Sequence, residues 1–110
     1  MPINSKTKGK VGELELAHYL TDAGHPARRG QQFQGTPDSP DIVCPTLSQY
    51  NLECKRKEKL SLYQAMEQAE SDCGEGQSPV VIHRRNKKRW VSIMYLDDWL
   101  ELVSEKKTSI

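Results

Sequence analysis

The stretch from Pro40 to Lys55 constrains this chain more than any other. It reads Pro40-Asp41-Ile42-Val43-Cys44, then Pro45 to Gln49, then Tyr50-Asn51-Leu52-Glu53-Cys54-Lys55. Two short apolar runs separated by turn-forming residues predict two strands joined by a tight connection. Side chains alternate faces along a strand, so Tyr50, Leu52 and Cys54 share one face while Asn51, Glu53 and Lys55 share the other. A carboxylate and an ammonium therefore stand at i and i+2 opposite the apolar set, and Asp41, opening the neighbouring strand, can lie close to both. Two carboxylates and a lysine on adjacent strand ends form a candidate site for a hard cation and a bound water. A second Pro-Asp pair, Pro37-Asp38, is followed by Ser39-Pro40, which does not continue easily into a strand, so the pattern is assigned to Asp41.

Before this stretch, residues 1–8 read as a loose arm in which Ser5 or Thr7 can cap a following helix. From Gly9 to Ala23 the pattern is helical. Glu13 falls with Leu16, Ala17 and Leu20 on an apolar face, and Glu15 with His18, Tyr19 and Asp22 on a polar one. A carboxylate on the core-facing stripe either takes a metal or lysine partner or complements the helix dipole from the edge. Gly24 and Pro26 end the helix. Ala27 to Phe33 reads as a first strand, in which Arg28 and Arg29 point to opposite faces, so at most one can face the site.

After Lys55 comes a basic turn, Arg56 to Leu60, and then a second helix with Ser61-x-x-Gln64 as a capping box. Its apolar stripe is Leu62, Ala65, Met66, Ala69 and Cys73. Gln68 lies at the border of that stripe and Gln64 points further out. Gln68 is either an ordinary border residue or the one that reaches a phosphate or a bound water. Gly74 ends the helix. Val80-Val81-Ile82 is a buried strand, and Trp90 to Tyr95 returns as its hairpin partner across a basic tip, Arg84 to Arg89. Asp97 or Asp98 caps a last helix with Leu96, Trp99, Leu100 and Val103 on its apolar side, followed by a polar tail from Ser104.

The length of 110 residues fits one domain, 1–110, whose ends (1–8 and 105–110) are expected to be flexible. No apolar run approaches the length of a membrane span, and no signal-peptide pattern opens the chain. Cys44, Cys54 and Cys73 are an odd set without CxxC spacing, as expected of reduced thiols in an intracellular protein rather than a zinc site. The net charge of +1 says nothing about partners, but its distribution does. Lys6, Lys8 and Lys10, Arg28 and Arg29, Lys55 to Lys59 and Arg84 to Arg89 are basic clusters, whereas 67–75 and 97–105 are acidic. A basic face with an acidic back is the footprint of a phosphate-binding surface; taken singly, each cluster also reads as a solvated turn.

Gly12-Glu13, Arg28-Arg29, Pro40-Asp41-Ile42 and Glu53-Cys54-Lys55, in this order along helix, strand, strand, strand, helix, strand, strand, helix, resemble the small PD-(D/E)xK nucleases. The set most resembles the archaeal-type Holliday-junction resolvases and their phage and prophage relatives. The resemblance implies an α/β fold with a restriction-endonuclease-like core, a central mixed β-sheet of about five strands flanked by helices. It implies phosphodiester hydrolysis by a Mg²⁺-dependent endodeoxyribonuclease, with Mn²⁺ as an alternative ion, acting on branched DNA as a homodimer in the cytoplasm of a bacterial host. Carried over by residue, Asp41 and Glu53 would bind metal with the carbonyl of Cys54. Glu13 would bind a second metal or its water, Lys55 would orient or deprotonate the attacking water, and Gln68 would assist. Lys10, Arg28, Arg29, Arg56, Lys57, Arg84, Arg85, Lys87, Lys88 and Arg89 are the candidate DNA contacts. The family's serine-containing loop corresponds to Gly30 to Pro40, with Thr36 and Ser39, and does not align clearly.

Other functions stay open at this level. The same site fits a nicking or other endonuclease with a different DNA substrate. A DNA-binding module that keeps the fold without catalysis fits less well, because it has no need to hold Glu13, Asp41, Glu53 and Lys55 together. The Arg84 to Arg89 tip also reads as an RNA-binding or localisation patch. The last helix is a candidate dimer surface, or packs on its own sheet.

Overall fold

In the computed structural model, which describes residues 5–30 and 41–108, the first helix, α1, spans Ser5–Asp22. It begins earlier than its pattern predicts, so Ser5 and Thr7 are already helical rather than capping. Its end is as expected. Gly24 takes φ +98°, the His25 N–H bonds the Leu20 carbonyl at 2.8 Å and the Gly24 N–H bonds that of Thr21 at 3.0 Å. This pair of bonds closes a helix around a left-handed residue, a conformation glycine adopts without steric penalty.

Two short strands follow, β1 (Arg28–Arg29) and β2 (Ile42–Val43), paired antiparallel with Arg29 opposite Ile42. Residues 31–33 of the expected first strand, and Thr36 and Ser39, lie outside the described residues. A short 3-10 turn, Pro45–Leu47, leads into β3 (Tyr50–Arg56), then α2 (Leu62–Ser71), β4 (Ser78–Arg84), β5 (Val91–Ile93) and α3 (Leu96–Thr108). β3 and β4 pair in parallel, Glu53 opposite Val81 and Lys55 opposite His83, and β5 returns antiparallel on β4.

The fold is α/β, as expected, but among the described residues the five strands do not form one sheet. They form a mixed three-stranded sheet, β3-β4-β5, and a separate two-stranded one, β1-β2. The reason lies at the edge of β3 that faces away from β4. There the Cys54 N–H donates to the Asp41 Oδ2 at 3.0 Å, so a side chain occupies a donor that a backbone ladder would otherwise use.

The core forms on both sides of β4. Val80 and Ile82 meet Leu16 and Ala17 of α1, Ile42 and Cys44, and Leu52 of β3. Val81 meets Ala65, Met66 and Ala69 of α2. The strict alternation of Val80, Val81 and Ile82 explains why this run is apolar throughout, since both faces are covered. Asn51, buried on the α2 side of β3, donates to the Ala69 carbonyl at 2.9 Å and so satisfies its amide where the apolar set does not reach.

Several boundary expectations are corrected. Ser61 precedes α2 but makes no side-chain cap bond. The helix ends at Ser71 with Asp72 as its cap, not at Gly74, whose N–H instead bonds the Gln77 side chain at 2.8 Å. Leu62 is exposed rather than part of the stripe, and Cys73 lies beyond the helix. Asp97 and Asp98 sit inside the first turn of α3, where their charge complements the positive end of the helix dipole instead of capping the helix. Arg56, expected in a turn, continues β3. The helix also runs through Ser104, where a frayed tail is expected. Leu96, Trp99 and Leu100 of α3 are exposed, so this helix does not bury the face its pattern marks as apolar.

Helix α1 lies close against β3 at Gly12. A Cβ placed there would lie 2.5 Å from the Arg56 Cβ, a rigid part of that side chain. Alanine normally favours a helix over glycine by about 1 kcal/mol. Here the clash decides the sign, and Gly12→Ala is expected to destabilise the protein by about 1–3 kcal/mol, read as a lowered midpoint in thermal unfolding followed by circular dichroism. A raised midpoint would show that α1 and β3 can separate at no cost.

Candidate active site

Glu53 and Lys55 project from β3 toward the α2 side because both belong to the set opposite Leu52. Their charged groups pair at 3.5 Å. Glu53 is 6% exposed, a depth at which a carboxylate needs a partner. Asp41 is held against the same strand by the Cys54 N–H. The sequence pattern thus places Asp41, Glu53 and Lys55 together, and the structure brings them together.

Burial is the main cause that raises both acids above their ordinary range. Glu53 is pushed up to about 7, first by desolvation and then by the neighbouring Asp41, against the pull of Lys55. Asp41 is also raised by desolvation and by Glu13, while the Cys54 N–H and Lys55 oppose the shift. Asp72, at the end of α2, adds to the negative field on both. The Cys54 thiol is pushed up to about 12 by desolvation and by Asp41, which makes it inert as a nucleophile; its part in the site is played by its backbone.

Glu13 is on the core-facing side of α1 and is bonded by the Arg29 Nε at 2.8 Å. The partner that a buried carboxylate requires is therefore an arginine, not a lysine. Arg28, on the opposite face of β1, is exposed and donates to the carbonyl of its neighbour Arg29 at 3.4 Å. Gln68 lines a notch of about 180 Å³ together with Lys55, Lys57 and Ser61, and Gln64 lines it too, although its position on the helix predicts that it points outward.

The acidic residue that the sequence pattern misses is Glu15. It accepts from the Arg56 Nε at 2.9 Å and also pairs with Arg84. Arg56 donates further to the Asn86 side chain at 3.0 Å, and the Asn86 N–H donates to Glu58 at 2.7 Å. A helical wheel shows Glu15 on a polar face; nothing in a single sequence shows that arginines from β3 and β4 converge on it. Two of the candidate DNA contacts, Arg56 and Arg84, are thus engaged in tying α1 to the sheet. Lys10, Lys57, Arg85, Lys87, Lys88 and Arg89 are exposed.

A family model for phage putative PDDEXK endonuclease matches residues 4–110. The chain belongs to this family. No curated protein and no solved structure matched significantly. Membership of a PD-(D/E)xK endonuclease family gives the Asp41, Glu53 and Lys55 cluster a frame, and makes DNA the substrate class and a divalent cation the implied cofactor. The residues present fit such an ion. Two desolvated carboxylates face a single lysine, and a cation would relieve both. No three His, Cys, Asp or Glu side chains among the described residues converge to hold a metal alone. A divalent cation bound there would complete its shell with waters and substrate phosphate. None of the described helices is long and apolar enough to cross a membrane.

The raised Glu53 makes a pH prediction. In the unfolded chain its carboxyl titrates near 4.5, and in the folded protein near about 7, so the folded form binds the proton more tightly. Without divalent cation, the stabilisation from that proton is complete below about 4.5 and is lost as the pH rises through about 7. Unfolding midpoints measured in EDTA from about pH 5 to about pH 8 are expected to fall, and Glu53→Gln is expected to flatten the decline. An equal slope in the variant would assign the effect to other groups.

Proposed function

We propose that this protein is a metal-dependent, structure-selective DNA endonuclease that hydrolyses phosphodiester bonds, with the four-way Holliday junction as its substrate. The observation that carries the reading is the desolvated pair Asp41 and Glu53 beside Lys55, in a chain of this family. Asp41 and Glu53 would hold Mg²⁺ or Mn²⁺ with the carbonyl of Cys54. When bound, the ion supplies Lewis acidity toward the phosphate and a more acidic water.

This chain's residues do the rest. Lys55, as the ion-pair partner of Glu53, positions the attacking water and neutralises charge on the crowded phosphate. Gln68 and Gln64 line the notch next to Lys55 and can donate to phosphate oxygens. Glu13, held by Arg29, orders the wall of the site behind Asp41, and a second ion there would have to displace that arginine. Lys57 and the hairpin tip contact phosphates without reading bases. A junction requires two symmetric cuts, which two copies supply. The exposed Leu96, Trp99 and Leu100 of α3 offer an apolar surface for pairing them.

Two experiments test this. Labelled four-way junction, duplex, nicked, flap and single-stranded DNA are incubated with Mg²⁺ and with EDTA. Paired symmetric nicks in the junction alone, lost in EDTA, are expected. Metal-dependent cutting of the other forms would keep the endonuclease and remove the junction, and no cutting with any ion would leave a binding module. Separately, Asp41→Asn is expected to lower the cleavage rate about a thousandfold, the equivalent of several kcal/mol of lost stabilisation, while DNA affinity stays close to that of the unaltered protein. Full activity in this variant would rule out Asp41 as a ligand.

A further inference from the structure

Beside α1, on the side away from Glu13, lies a groove of about 470 Å³, of which the reaction described above uses only the phosphate contacts of the hairpin tip. One wall is the polar face of α1, with Glu15, His18, Tyr19 and Asp22 at helical spacing. The other is the β4–β5 hairpin, with Arg84, Lys88, Arg89 and Trp90. The hairpin wall is held in place by bonds of its own. The Arg84 Nε donates to the Lys88 carbonyl at 2.6 Å, and Arg84 pairs with Glu15 across the floor. Lys87 adopts φ +62° at the tip, a conformation that non-glycine residues rarely take.

Resting on the endonuclease reading, we propose that this groove binds a stretch of one DNA strand opened at the branch point of the substrate, next to the cleaved phosphate. The chemistry of the walls matches one. Tyr19 is 57% exposed and offers its ring to a base, while Trp90, half-buried against the core, lines the groove at its partly exposed part; every base has a π-face on which such rings stack. Lys88 and Arg89 are exposed and free to take phosphates. Glu15 is neutralised by Arg56 and Arg84, which leaves Asp22 as an acceptor for the exocyclic amine of a base.

Topology favours a single strand over a duplex. Arg56 directly follows Lys55 on β3, and consecutive strand residues point to opposite faces. Lys55 faces the notch beside α2, whereas Arg56 meets Glu15 on the α1 side. Nucleic acid running from the acid pair to the groove must therefore turn around the end of the sheet. An unpaired strand can make that turn; a duplex, stiff over about 150 base pairs, does not bend so sharply without a large deformation energy. Stacked bases inside a duplex would also leave Tyr19 and Trp90 without a partner.

The test measures binding in EDTA, apart from cleavage. By fluorescence anisotropy, a duplex with a single-stranded tail is expected to bind more tightly than the blunt duplex of equal paired length. Tyr19→Ala, at an exposed helical position, is expected to reduce the affinity for the tailed DNA about tenfold more than that for the blunt duplex. An equal loss on both, or no loss, overturns the proposal. In a Trp99→Phe protein, where Trp90 is the remaining tryptophan, oligothymidine is expected to quench the emission, and emission unchanged at saturation also overturns it. Cleavage with Mg²⁺ is scored independently. Lack of cutting on every DNA would sink the endonuclease reading, while a Tyr19-insensitive tail preference alongside normal cutting would sink only the groove.

Discussion

The hydrogen bond from the Cys54 N–H to the Asp41 carboxylate is the joint on which this molecule depends. Among the described residues, strand β3 pairs with β4 on one side and with no strand on the other. One carboxylate both occupies a donor of that edge and draws β2 toward it, so the small β1-β2 sheet is held beside the larger one without sharing its ladder. The same bond fixes Asp41 where its charge is felt by Glu53. Edge protection and site assembly are thus one contact. A substitution that removes the carboxylate leaves a buried donor in need of a partner, and the amide of asparagine keeps an acceptor there.

The charge arrangement splits into two parts with different jobs. Around Glu15, acid and base are matched: two arginines from different strands neutralise one glutamate and lock α1 across the ends of β3 and β4. Around Asp41 and Glu53 they are unmatched, since the buried Glu53, the half-buried Asp41 and the nearby Asp72 face one lysine. Matched clusters favour rigidity. Unmatched buried charge is costly and persists in proteins chiefly where a ligand or a reaction uses it. The contrast between neighbouring parts of one small fold separates scaffold from site more clearly than the number of charges in either.

Much of this was legible in the residues alone. The order of elements followed from period and punctuation, and the alternation along Tyr50 to Lys55 placed Leu52 in one layer and Glu53 in the other, as found. The pairing of Glu13 was anticipated as a need, though not with Arg29 as its answer. What could not be read was long-range. The division into two sheets depends on where a side chain from Asp41 lands, and the role of Glu15 depends on arginines far along the chain. The exposure of α3 has a similar cause. Its stripe at Leu96, Trp99 and Leu100 has helical spacing, but spacing records which side is apolar and not whether anything covers it. The capping box failed because Ser61 and Gln64 satisfy a local pattern while Gln64 lies in the notch beside Lys55.

The parallel pairing of β3 with β4 also bears on how the protein comes to be active. Parallel neighbours require a crossover, here α2, and their backbone bonds join residues far apart in sequence, as where the Lys57 N–H meets the Arg84 carbonyl. Closing such a loop costs entropy before any contact offsets it, which slows folding relative to local hairpins. Glu53, Lys55, Gln64 and Gln68 come into place only once that crossover has closed. A growing chain therefore cannot assemble this candidate site until the residues of β4 have emerged from the ribosome.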